Sequence, residues 1–122
     1  MPRIVPAALL ACIAAPVIAA PREVPPATPT GPAVDCISTI NMRSQVRSDR
    51  VIDFTVARKT YRNTLPQACP SLGFEQRFAY TLPTTRLCSV DIITVIRDPV
   101  LLAGPSCGLG KFQPVDIPRT TR

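Results

Sequence analysis

The chain is predicted to be an all-β, mainly antiparallel domain, a small barrel or sandwich of about six short strands braced by disulfides. A signal peptide and a proline-rich linker are expected in front of it. Three observations carry the expectation. Apolar residues alternate at period two, turn residues recur between the alternating runs, and four cysteines follow an apolar N-terminus.

The N-terminus reads as an export leader over residues 1–19. Arg3 supplies one positive charge, Ile4 to Ala15 is almost wholly apolar, and Val17-Ile18-Ala19 fits a cleavage site. A cut after Ala20 would leave Pro21 directly behind the scissile bond, so Ala20 is the expected mature start. Pro6 and Pro16 interrupt the apolar run, which falls short of the roughly 20 residues a bilayer span needs. Leu9-Leu10-Ala11-Cys12 also resembles a lipobox, which makes Cys12 a lipidation candidate. Either way Cys12 leaves the disulfide count, and the mature domain keeps an even number of cysteines.

Residues 20–34 follow as a Pro/Ala-rich linker. Eight of the fifteen prolines fall at or before Pro32, and hydrophobic periodicity is absent there, the pattern of a semi-rigid spacer. The folded domain is expected over residues 35–117, with residues 118–122 a basic tail. Ile52, Phe54 and Val56 alternate with Asp53 and Thr55, a half-buried strand that turns Asp53 to solvent. Phe78, Tyr80 and Leu82 repeat that pattern, and Val90 to Ile96 is β-branched enough to read as the central strand. Weaker strands are expected over residues 37–42, 61–65 and 109–115. Turns are expected at Ser48-Asp49, Arg58-Lys59, Pro66, Pro70, Pro83, Asp98-Pro99 and Gly104-Pro105, with one helical turn at Ser71 to Gln76.

Cys36, Cys69, Cys88 and Cys107 allow three pairings. The nested one, Cys36 with Cys107 and Cys69 with Cys88, ties the ends together and clips a hairpin. Loop entropy assigns those bridges roughly 4 and roughly 3 kcal/mol. The sequential pairing, Cys36 with Cys69 and Cys88 with Cys107, gives similar sums. Entropy does not choose, and the nested set is the expectation.

The chain has no histidine, which removes Ser-His and Cys-His pairs and imidazole-ligated metals. No C-x-x-C occurs, so neither a redox motif nor a zinc knuckle is present. Six acids in the core region of the domain, Asp49, Asp53, Glu75, Asp91, Asp98 and Asp116, are the raw material from which a carboxylate hydrolase would draw its pair. Asp91 reads instead as a turn aspartate accepting backbone hydrogen bonds. Gly108 and Gly110 flank Leu109 without the rest of a phosphate loop, and read as allowing a bulge or a close backbone approach. No enzyme, metal or cofactor is expected.

Without the leader's Arg3, 13 basic residues face 8 acidic ones, a net charge of +5. Nearly all the basic groups are arginines, suited to carboxylates and phosphates. Arg43, Arg47 and Arg50 with Arg58, Lys59 and Arg62 are the candidate anion-binding residues. Outside the cytoplasm the partner is expected to be an anionic envelope lipid or polymer, or a protein, and not nucleic acid.

Cys36-Ile37, Val51-Ile52-Asp53-Phe54, Tyr61-Arg62-Asn63-Thr64-Leu65, Cys69-Pro70-Ser71-Leu72, Arg77-Phe78, Leu87-Cys88-Ser89 and Cys107 together resemble a bacterial group. It consists of small exported or lipid-anchored envelope proteins that share a domain of unknown function. Gly108 stands where that pattern has a proline-containing segment. The resemblance implies an envelope location and one compact domain, and it carries over no site residue. The leader and Cys12 make the expected location periplasmic or secreted, or membrane-anchored by lipid. The expected function is a non-enzymatic structural or interaction module, with inhibition of a secreted hydrolase through residues 65–72 or 98–106 as the alternative.

Overall fold

The structure is a computed structural model that describes residues 2–8, 10–14, 23–97 and 102–118. The expected cleavage point after Ala19, the Asp98-Pro99 turn and the tail beyond Pro118 lie outside the described residues. Residues 2–8 and 10–14 carry no regular structure, and Ile4, Val5, Leu10 and Ile13 stand 82–90% exposed.

The fold is mostly antiparallel β, in three sheets with one short helix. The strands are β1 (Thr28–Pro29), β2 (Cys36–Ser38), β3 (Arg43–Val46), β4 (Val51–Val56) and β5 (Lys59–Thr64). After α1 (Leu72–Glu75) come β6 (Phe78–Ala79), β7 (Arg86–Cys88), β8 (Ile92–Arg97), β9 (Leu102–Gly108) and β10 (Phe112–Asp116). The largest sheet runs β1-β10-β5-β4-β3, a second pairs β2 with β7, and a third runs β6-β8-β9.

The five-stranded sheet has two unlike faces. Ile52, Phe54, Asn63 and Phe112 point inward and are wholly buried. Phe54 meets Phe112 edge-to-face at 5.5 Å and Phe78 of the third sheet at 6.1 Å, so one ring joins two sheets. Asn63 acts as a surrogate for main chain. Its Nδ2 donates to the Gly110 carbonyl at 2.7 Å, and its Oδ1 accepts the Gly110 N–H at 2.8 Å. This close approach requires glycine, because a Cβ on Gly110 would collide with the Thr64 carbonyl oxygen. Gly108 shows no such restriction.

Several elements differ from expectation for local reasons. Among the described residues ten strands replace about six, because β1, β3, β7 and β9 lack apolar alternation. Gly104-Pro105 is a bulge inside β9 and not a turn: Thr94 pairs with Ser106 and Ile96 with Ala103, so two residues oppose Val95. The third-sheet strand at Phe78 ends after Ala79. Within the expected spacer, Thr28 and Pro29 pair with Asp116 and Val115, and Val34 bridges Phe112. Pro114 fits there because its missing N–H faces this outermost strand, which takes only its carbonyl, through Thr30 N–H at 3.0 Å.

The disulfides are Cys36–Cys88 and Cys69–Cys107, an interlaced set that replaces the nested one. The β2–β7 register sets Cys36 directly opposite Cys88. Cys107 lies on β9 and reaches Cys69 in the segment leading to α1. Sheet pairing decides what loop entropy leaves open.

Candidate anion-binding site

The outer face of the five-stranded sheet brings together Arg43, Arg47, Asp53 and Arg62. Gln45, Asp53 and Arg62 share one row across β3, β4 and β5. Arg43, Thr55 and Thr60 share another, nearer the β4–β5 turn. Paired residues project to the same side, so all six side chains share a face.

Asp53 organises that face. It is buried at 4% exposure, not turned to solvent as its alternation predicts. Arg47 Nε donates to its Oδ2 at 2.8 Å, and Arg62 Nε donates to Oδ1 at 2.9 Å. Arg62 Nη2 donates to Oδ2 at 3.1 Å, and Nη1 donates to the Pro25 carbonyl at 2.7 Å. Three charge-assisted bonds thus hold one carboxylate between two guanidiniums. The segment carrying Pro25 lies against Arg62, whose side chain is 14% exposed.

The six candidate basic residues therefore do not form one patch. Arg47 and Arg62 are tied to Asp53. Arg50 braces the loop after β5, donating Nε to the Leu65 carbonyl at 2.8 Å and Nη2 to that of Pro66 at 3.1 Å. Arg58 occupies the β4–β5 turn, and Lys59 sits 5.8 Å over the Tyr61 ring on the sheet's other face. Only Arg43 and Arg47 border the groove that opens on the outer face.

That groove has a volume of about 430 Å³ and is lined by Arg43, Ser44, Gln45, Arg47, Asp53, Thr55, Thr60 and Ile117. Arg43 and Arg47 against Asp53 leave the lining one net positive charge. Thr55 and Thr60 hydroxyls lie 3.4 Å apart on its floor. Gln45, Asp53, Thr55 and Thr60 escape sequence reading; only the register of two successive hairpins places them together.

Two further acids have structural partners. Asp91 Oδ2 accepts the Cys88 N–H at 2.6 Å, the turn role its position predicts. Asp49 Oδ1 accepts the Gly73 N–H at 2.7 Å and fixes the start of α1. Among the described residues, no three Cys, Asp or Glu side chains converge as metal ligands do.

No family model, curated protein or solved structure matches the chain.

Proposed function

We propose that the protein is an exported, non-enzymatic binding module of the cell envelope that holds an anionic ligand on the outer face of its five-stranded sheet. The observation that carries this reading is the net positive groove beside Asp53. A guanidinium held by a buried carboxylate is already oriented, which lowers the entropic cost of binding. Export draws support from two disulfides, which persist in oxidising compartments. It draws further support from Ile4, Val5, Leu10 and Ile13, apolar side chains that stand exposed. These suit a leader or, through Cys12, a lipid tether.

The test is binding to inorganic polyphosphate at low and high salt. Reversing the exposed charge in R43E weakens binding roughly tenfold, about 1.4 kcal/mol, and the salt dependence becomes shallower. Equal binding by R43E and wild type would remove the groove from consideration.

A specific observation favours a second reading, inhibition of a secreted hydrolase. Pro66, Gln67 and Ala68 are exposed between buried Leu65 and Cys69. Arg50 clamps one end, and the Cys69–Cys107 bridge with the Cys69 N–H on the Asp49 carbonyl at 2.7 Å clamps the other. The rival loop at 98–106 loses this role, since Leu102 to Ser106 belong to β9. Assays against secreted serine proteases and lysozymes decide it, and no inhibition by the intact chain sinks it.

A further inference from the structure

We infer that the groove's ligand is an acidic saccharide, a hydroxyl-rich sugar carrying a carboxylate. The inference rests on the anion-binding reading above and narrows it by the chemistry of the lining. Arg43 and Arg47 offer only donors. The Asp53 carboxylate takes Nε of Arg47 and leaves the terminal amino groups of that guanidinium without a partner among the described residues. Two such groups on one planar fork match a carboxylate.

The rest of the lining asks for more than an anion. Gln45 presents both an amide donor and a carbonyl acceptor, and the Thr55 and Thr60 hydroxyls each donate and accept. Their mutual contact at 3.4 Å is long for two hydroxyls, so both stay available to a ligand. Polyphosphate carries acceptors alone and would leave these acceptors unmatched. An acyl chain would find one aliphatic side chain, Ile117. A sugar acid satisfies both sets: its carboxylate meets the guanidiniums, and its ring hydroxyls donate to Gln45, Thr55 and Thr60. The volume of about 430 Å³ lies within the range of small-molecule sites.

The experiment uses the intact chain and four probes: a galacturonate tetrasaccharide, a neutral glucose tetrasaccharide, inorganic polyphosphate and phosphatidylglycerol vesicles. Calorimetry should show the galacturonate binding at least about tenfold more tightly than each of the others. The double variant T55V/T60V keeps every charge and the β-branched shape. It should weaken galacturonate binding about fivefold or more and polyphosphate binding by less, since phosphate can use only the donor half of each hydroxyl. If polyphosphate or vesicles bind as tightly as galacturonate, or T55V/T60V has no effect, the saccharide assignment is overturned and the anion-binding reading stands. If no anion binds, with R43E indistinguishable from wild type, both fall.

Discussion

Replacing Asp53 by asparagine should destabilise the fold and tighten anion binding at once. The carboxylate accepts three hydrogen bonds from two guanidiniums whose side chains are only 21% and 14% exposed. Asparagine has nearly the same shape but only one acceptor oxygen and no charge. It therefore leaves two poorly hydrated cations side by side without a counter-ion. Breaking a buried ion pair by removing one partner costs about 3–5 kcal/mol. Retention of one acceptor and partial hydration of Arg47 place D53N near the lower bound, about 3 kcal/mol. At about 4–8 °C per kcal/mol for a domain of this size, the midpoint of thermal unfolding should fall by roughly 12–24 °C. Denaturant unfolding followed by circular dichroism gives the free energy directly. Polyphosphate binding at a temperature where the variant is folded should strengthen, because the groove gains a positive charge. A loss under about 0.5 kcal/mol, the range of ordinary surface substitutions, would refute the claim that Asp53 organises this face.

Three further outcomes follow from the same geometry. Non-reducing peptide mapping should recover Cys36 joined to Cys88 and Cys69 joined to Cys107, and C69S/C107S should lose about 4 kcal/mol in denaturant unfolding. A peptide joining Cys36 to Cys107 would contradict the fold. G110A should cost about 3 kcal/mol by thermal melt, since the new methyl must displace Thr64 or break the paired bonds to Asn63. Ala57 and Arg58 both hold positive φ, 49° and 66°, in the β4–β5 turn, where Asn-Gly is the favoured pair. A57N/R58G should gain about 1 kcal/mol and leave polyphosphate binding unchanged, which separates Arg58 from the groove.

That turn also explains what could be read from the sequence and what could not. The inward side of β4 is plain, because Ile52 and Phe54 alternate and both are buried. The partner of Asp53 depends on where the following turn is centred. Centred on Arg58-Lys59, it would place Asp53 opposite Thr64. Centred on Ala57-Arg58, as found, it places Asp53 opposite Arg62. Neither dipeptide contains the glycine or asparagine that marks such turns, so the sequence conceals the register and with it the ion pairs. The same limit applies to β3, whose Arg-Ser-Gln-Val carries one buried apolar side chain, and to β1, a Thr-Pro pair hidden in a proline-rich stretch. Asp91, by contrast, acts within three residues of its own position and was legible. Cysteine pairing again depends on which strands lie side by side, a long-range fact.

Amide chemical-shift mapping of the intact chain during titration with polyphosphate tests most directly whether the Asp53-organised face is where an anion binds. Shifts should concentrate at Arg43, Gln45, Arg47, Thr55 and Thr60, and R43E should abolish them at moderate salt. Shifts centred on the Ala57-Arg58 turn or on the Pro66–Ala68 loop, with that face silent, would contradict it.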